Sequence, residues 1–323
     1  MGNAGGLDAI RDGIISSIRA GQGLPGNQVS SLFEDRDRRL WVGVDDRLWI
    51  YQNRRFSEIR RADGGHLGTV AGITEDGKGN IWAVTIAPSK KLVRIRDFRV
   101  VEEIRPPRIP AARALAADQR DGIWLGLANG ELARYRNSNT EIYSSDQTAN
   151  LRVMQVIVNA DGSVLGTTEG GLIGWRDGKV QTMTVRNGLP CNDIFSIVSD
   201  QRNFWLYSEC GLVEISNGDI QKWWRNPALA LNVNVLDQSD GVRPGQAPFL
   251  PQASRSPDGK LWFANISALQ MFDPLHVKKN WFLRQCMWSK LSLMESHTIR
   301  LQTRQDSCHY LRLFETWKLT IPH

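Results

Sequence analysis

The chain is poor in the residues that perform chemistry. Its 323 residues include only five histidines (His66, His276, His297, His309, His323), three of them beyond residue 279. The four cysteines (Cys191, Cys210, Cys286, Cys308) form no CxxC pair and no metal-ligand spacing, so they read as buried or free thiols. No phosphate-cradling loop, dinucleotide fingerprint, GxSxG elbow or HExxH is present. The turns "EDGKGN" and "DRDRR" hold too few acidic ligands for a calcium loop. No catalytic, cofactor-binding or metal-ligating residue is assigned, and no cofactor is expected. No stretch approaches the roughly 18 apolar residues of a membrane span. The opening "MGNAGGLDAIRDGIISSIRAG" lacks a basic run followed by a long apolar one, so the chain as written carries no export signal. No window supports an amphipathic helix of real length.

Charge excludes one more class. The net charge is +6 with a pI near 9.3, but half of that excess lies in residues 280–323. The remainder has no basic run interleaved with aromatics, so no nucleic-acid partner is expected.

What the chain does have is tryptophan, twelve against five tyrosines. A polar turn followed by an apolar residue and Trp recurs as "DRDRRLW" (Trp41), "EDGKGNIW" (Trp82), "DQRDGIW" (Trp124), "SDQRNFW" (Trp205) and "SPDGKLW" (Trp262). "NADGSVLG" places Leu165 at the missing position, and the spacings are 41, 42, 41, 40 and 57 residues. A fixed period of this size marks a repeat protein. Each unit holds short alternating runs between Gly/Asp/Asn turns, as in "QVSSLFED", "LWVGVDD", "RLWIYQN" and "FSEIRR", which read as four antiparallel strands. One such meander buries little alone, whereas units arranged around an axis bury both faces and expose only short edges. The architecture is therefore an all-β propeller rather than a stacked solenoid. A Trp at the start of every second strand then packs between neighbouring blades. Gly43, Gly126 and Gly166 sit where strands crowd toward the axis.

"GLPGNQVSSLFEDRDRRLWVGVDDRLWIY" (Gly23–Tyr51) and "GLPCNDIFSIVSDQRNFWLYSECGLVEI" (Gly188–Ile215) resemble the regulator-propeller repeats of bacterial two-component systems. The resemblance is looser at Val70–Arg96 and Arg113–Tyr135, where the G-L-P opening is lost. "LDQSDGVRPGQAPFLPQASRSPDGKLWFANISALQMFDP" resembles the last blade of such sensors, with a longer D-G loop that accounts for the 57-residue interval. The resemblance covers about residues 7–279 and implies the extracytoplasmic sensor region of hybrid sensor histidine kinases, truncated at both ends. The expected division is residues 1–22 as outer strands of a preceding blade and a propeller over 23–279. Its blades are expected at about 23–61, 68–104, 110–145, 151–186, 188–225 and 232–279. Six blades plus a half blade give an incomplete seven-bladed ring, and the N-terminal strands are candidates to complete the last blade.

Residues 280–323 are expected to form an irregular tail. "NWFLRQCMWSKLSLMESH" shows no strand pattern or turn chemistry. Read two nucleotides out of step, the codons for Asn280 to Lys290 permit "LVPPPVHVEQ", and those for Phe314 to Pro322 permit "RNLEIDYT". Both strings resemble the opening of the family's next domain. A frameshift near Asn280 accounts for this, a divergent linker being the alternative. Under the frameshift, Trp281, Cys286, Trp288 and Cys308 carry no function.

No kinase, ATP-binding or receiver segment is present, so the expected task is recognition. The leading expectation is a non-catalytic, ligand-sensing module of a two-component sensor. A propeller lyase or hydrolase acting on oligosaccharide or peptide and a protein–protein scaffold are the alternatives. The expected partner is a small molecule or glycan on one rim, with other sensor domains or a homodimer partner also open. "GLPGN", "GLPCN" and the Asp240–Pro251 loop are candidates for that rim. His66 could face a funnel or simply be solvated. Trp223-Trp224 with Arg225 fits an exposed carbohydrate or peptide contact, and core packing of one Trp fits equally, so no ligand-binding residue is assigned. The resemblance implies a periplasmic location, and the chain as written a cytoplasmic one.

Overall fold

The computed structural model describes residues 2–3, 6–11, 14–118, 122–247, 249–276 and 314–318. Its strands form six four-stranded antiparallel sheets and one three-stranded sheet, arranged as the blades of a propeller. The three-stranded sheet comprises β1 (Gly2–Asn3), β2 (Gly6–Arg11) and β3 (Ile14–Arg19). Blade 1 holds β4 (Val29–Glu34), β5 (Leu40–Val44), β6 (Arg47–Gln52) and β7 (Arg55–Ile59). Blade 2 holds β8 (Thr69–Glu75), β9 (Ile81–Ala87), β10 (Lys91–Arg96) and β11 (Arg99–Ile104). Blade 3 holds β12 (Ala112–Ala117), β13 (Ile123–Leu127), β14 (Leu132–Arg136) and β15 (Asn139–Tyr143). Blade 4 holds β16 (Val153–Val158), β17 (Val164–Thr168), β18 (Gly171–Arg176) and β19 (Lys179–Met183). Blade 5 holds β20 (Ile194–Ser199), β21 (Asn203–Ser208), β22 (Gly211–Ser216) and, after helix α1 (Asn217–Arg225), β23 (Asn234–Leu236). Blade 6 holds β24 (Ala253–Arg255), β25 (Leu261–Ala264), β26 (Ala268–Phe272) and β27 (Phe314–Lys318).

The first strands of successive blades adjoin one another around the axis, from β4 through β8, β12, β16 and β20 to β24. In the first five blades this inner strand carries a bulge near its start, which sharpens its twist as it enters the crowded centre. The second strand is covered on both faces. Every residue of β13, "IWLGL", is buried, which explains its unbroken apolar run. A side chain at Gly126 would place its Cβ 2.6 Å from Val153 of the next blade.

Four of the five repeated Trp residues sit between their own blade and the next, as the spacing predicts. Trp41, Trp124 and Trp205 are 1% exposed and Trp82 is 7% exposed. Trp41 shares a buried cluster with Val70 of blade 2, Trp124 with Val153 of blade 4, and Trp205 with Ala253 of blade 6. The turn also holds the indole. Asp35 accepts the Trp41 Nε1–H at 2.7 Å, and Asp76 and Asp200 accept those of Trp82 and Trp205 at 2.8 Å. Thus in blades 1, 2 and 5 the Asp that begins the turn satisfies the one polar atom of the interface residue, and in blade 6 Ser256 accepts the Trp262 Nε1–H at 3.0 Å.

Four features depart from the sequence-based expectations. First, α1 is a nine-residue helix where strand was expected, capped by Ser216 and placing Ile220, Trp223 and Trp224 in the core. Helical spacing of these apolar residues in "NGDIQKWWR" is the signal, masked by the strand period around it. Second, residues 234–236 complete blade 5 rather than beginning blade 6, so the 57-residue interval is taken up by the helix as well as the loop after it. Third, the N-terminal strands form their own sheet and do not complete blade 6. Fourth, β27 supplies the outer strand of blade 6, pairing Phe314 with Phe272 through Lys318 with Ala268 within the expected irregular tail. The rest of that tail, with Trp281, Cys286, Trp288, His297, Cys308, His309 and His323, lies outside the described residues.

Candidate functional site at the channel mouth

One end of the ring is built twice over. In three of the six blades the turn between second and third strands donates a backbone N–H to the carbonyl preceding the inner strand. The pairs are Asp45 to Gln28, Ala128 to Ala111 and Glu209 to Asp193, at 2.9, 2.9 and 3.1 Å. This stitching brings the two rim-forming segments of these blades to the same mouth of the central channel. The "GLPGN" and "GLPCN" segments both arrive there. Asp45 ties the first by accepting the Gln28 N–H at 2.9 Å. Cys191, within the second, forms a disulfide with Cys210 in the turn after β21. The expectation of buried or free thiols is therefore corrected for this pair.

The Asp240–Pro251 loop connects the two segments. Gln246 donates to Asp193 at 3.5 Å and its carbonyl accepts the Ile266 N–H at 3.2 Å. Leu250 donates its N–H to the Ser30 carbonyl at 3.3 Å. The loop thus reaches Asp193 and Ser30, which lie just beyond the two G-L-P segments.

Charged groups gather on this rim. Arg152, just ahead of β16, pairs with Glu169 in the turn after β17. Burial pushes the Asp193 carboxyl above its ordinary value, and the negative charges of Glu169 and Glu209 push the same way. Arg113, at the bulge of β12, is pulled down by burial and then by the Arg152 charge, with Glu169 opposing. Its Nε is buried without a hydrogen-bond partner. The rim therefore presents both cationic donors and carboxylate acceptors beside a channel, an arrangement suited to polar ligands with several hydroxyl or carboxyl groups. Sequence reading missed these residues because they are spread over three repeats and none belongs to a motif.

Other candidates fall elsewhere. His66 sits against Glu58 of the outer strand β7, with Nδ1 2.5 Å from Oε1. Trp223 and Trp224 are 0% and 7% exposed, which overturns the exposed-cluster reading. Their rings pack in the cluster that contains Leu165, filling the interface whose repeat lacks its own Trp. Among the described residues no group of three or more His, Cys, Asp or Glu could hold a metal ion. No helix there is long and apolar enough to cross a membrane.

Comparison with known proteins gives a local family match: residues 23–46 match the two component regulator propeller model. The extracellular domain of the hybrid two component system BT3049 from B. thetaiotaomicron is similar over 99% of this chain, with TM-score 0.71 and 18% identity. This chain spans 42% of that domain. A streptogramin B lyase matches 81% of this chain and 84% of its own, with TM-score 0.61 and 14% identity. A catalytically inactive variant of virginiamycin B lyase from Staphylococcus aureus, solved with quinupristin, matches 81% of this chain and 85% of its own, at TM-score 0.57 and 15% identity. At these identities the structural likeness establishes the fold. No curated protein matches the chain.

Proposed function

We propose that this chain, a two-component regulator propeller, is a non-catalytic sensory module that binds a polar small molecule or glycan at the channel mouth. One observation carries the reading. Segments from four blades converge there with cationic and anionic side chains, including the partnerless Arg113 Nε, on a scaffold fixed by backbone stitching and a disulfide. Ligand contact with loops of several blades at once would bias how those blades sit against each other, which is the physical basis for passing a signal to a neighbouring domain. The resemblance to sensor regions and the Cys191–Cys210 bond both support an extracytoplasmic location, where disulfides persist.

The lyase reading rests on likeness of fold. Among the described histidines, His66 is held by Glu58 and His276 by Asp273, away from the mouth cluster, which supports recognition over turnover. A thermal-shift screen against neutral and acidic oligosaccharides tests the proposal. A hit that raises the melting temperature and is recovered unchanged supports it, and a hit converted to product favours the lyase. A panel without any shift favours the scaffold.

A further inference from the structure

The boundary between blades 1 and 2 is filled differently from the other boundaries between full blades. On the third strand, the residue paired with the one just before the repeat position is Tyr135 in blade 3, Trp175 in blade 4 and Phe272 in blade 6. Each ring packs against the Trp of the preceding blade, Tyr135 on Trp82, Trp175 on Trp124 and Phe272 on Trp205, with centroids 6.0, 4.7 and 4.8 Å apart. Blade 5 has Ile215 at that position, and Trp223 and Trp224 of α1 fill the gap against Gly174. Blade 2 has Ile95, and its third and fourth strands join through the Asp97–Phe98 turn. The facing surface of blade 1 is also cut back. Opposite the repeat Trp, blades 2 and 3 carry Arg94 and Arg134, each with its guanidinium 5.7 Å from the ring of its own blade's Trp. Their fourth-strand partners are Glu102 and Glu141. Blade 1 has the smaller Ile50 and Ser57 at these two positions.

A cleft of about 640 Å³ opens at this boundary, lined by Ile50, Gln52, Asn53, Arg55, Ser57 and Phe98 among others. That volume suits a small-molecule site. Ile50, Gln52, Arg55 and Ser57 share one face of the β6–β7 hairpin through the pairs Ile50–Ser57 and Gln52–Arg55. Among the described residues, the Gln52, Asn53, Arg55 and Ser57 side chains take part in no hydrogen bond or ion pair. Phe98 is set in the cleft wall by a strained turn. Its φ of 61° lies in the left-handed region that bulky side chains avoid, and blades 1, 3 and 4 place Arg54, Ser138 and Gly178 at the same turn position. The ring is 47% exposed, yet it is fixed. The Arg39 guanidinium, clamped by Asp35 and Asp37, lies 5.0 Å from its centroid, and Trp41 stacks at 6.3 Å with 25° between the planes. A strained, half-exposed aromatic beside unengaged polar groups points to a contact outside the fold. Arg54 and Arg99, next to Arg55 and Phe98 in the same two turns, also form no ion pair among the described residues, so the cleft carries an excess of positive charge.

We propose that the cleft between blades 1 and 2 is a second ligand site, and that it takes a pyranose sugar carrying a carboxylate. The C–H face of the sugar lies on the electron-rich Phe98 ring, with Ile50 and Ile59 as the rest of the apolar surface. Gln52, Asn53 and Ser57 offer donors and acceptors to the hydroxyls. Arg55 takes the carboxylate, for which its planar fork supplies two parallel N–H donors. A neutral sugar would leave the Arg55 charge unanswered, and a simple carboxylic acid would leave the Phe98 ring and the amides unused. The site lies on the outer strands, at the opposite end of the blade from the Asp45 turn of the channel mouth. It shares no residue with the mouth cluster and does not depend on the function proposed for it.

The test uses the full chain and four probes, the methyl glycosides of galacturonate and glucuronate and of their neutral parents galactose and glucose. Saturation-transfer difference spectroscopy should show saturable binding of at least one uronide, about tenfold or more tighter than its neutral parent. Phe98→Ser installs the residue that blade 3 carries at this turn position, so the hairpin keeps its geometry. It should weaken uronide binding by about tenfold. Arg55→Gln should erase the preference for the uronide over its parent. Amide hydrogen exchange on the unmodified chain should slow at 52–58 and 97–99 when the uronide binds, a readout independent of how either variant folds. Lack of saturable uronide binding, equal binding of the neutral parent, or undiminished binding by Phe98→Ser would overturn the proposal. Slowing confined to 111–113 and 191–193 would place the uronide at the channel mouth, overturning this site while leaving the reading of the mouth intact.

Discussion

The Asp76 carboxylate accepts the Trp82 indole N–H through one oxygen at 2.8 Å and the Lys78 and Asn80 backbone N–H groups through the other at 2.9 Å. One side chain therefore shapes the hairpin turn and fixes the ring that packs blade 2 against blade 3. Asp76→Ala would leave a buried indole N–H unsatisfied and free the turn. The expected cost is about 1–3 kcal/mol, read as a lower melting temperature or urea midpoint. An unchanged midpoint would show that the turn holds itself.

Acid should weaken the same clamp. Burial alone would raise Asp76, but hydrogen bonds from Trp82, Asn80 and Lys78 outweigh it and hold the carboxyl below its ordinary 3.8. A depressed folded value contributes stability that is complete above 3.8 and is lost as pH falls from there toward the folded value. Asp193 has the opposite sign, since its raised value makes ionisation a cost to the folded state that is relieved as pH falls through that value toward 3.8. Asp76→Asn should therefore flatten the acid limb of a stability–pH curve. Asp193→Asn should raise the midpoint modestly at pH near 7, by under about 1 kcal/mol after solvent screening, and leave it unchanged in acid.

Reduction should loosen the mouth. The Cys191–Cys210 bond closes a loop with a sequence separation of 19 residues. Loss of such a crosslink costs about 2–4 kcal/mol. Thermal unfolding with and without dithiothreitol measures it, and a Cys191→Ser, Cys210→Ser double variant should match the reduced chain and ignore the reagent.

The helix that departs from the blade pattern should be intolerant of crowding. A Cβ at Gly174 would lie 2.6 Å from Trp224 and 2.9 Å from Trp223, both buried rings. Gly174→Ala should cost about 1–3 kcal/mol through displaced indoles, visible in near-ultraviolet circular dichroism as well as in stability.

Period-2 alternation and a fixed Trp register made the blades legible, because both follow from burial that recurs identically in every unit. Trp41, Trp124 and Trp205 are buried for the reason their spacing suggested. The helix escaped because Ile220, Trp223 and Trp224 form a local 3.6-residue pattern inside a two-residue one. The fourth strand of blade 6 escaped because Phe314–Lys318 draws its order from pairing with β26 rather than from its own pattern. At the mouth, the G-L-P segments were readable as motifs. Arg113, Arg152, Glu169 and Asp193 were not, since ring closure alone sets residues of different repeats side by side.

The central claim is recognition without turnover at the channel mouth. Equilibrium binding of oligosaccharides to the unmodified chain and to an Arg113→Ala, Arg152→Ala variant, with product analysis of the bound fraction, tests it most directly. The account predicts saturable binding of a polar ligand that is recovered intact and lost in the variant. Chemical conversion of the ligand, or undiminished binding by the variant, would contradict it.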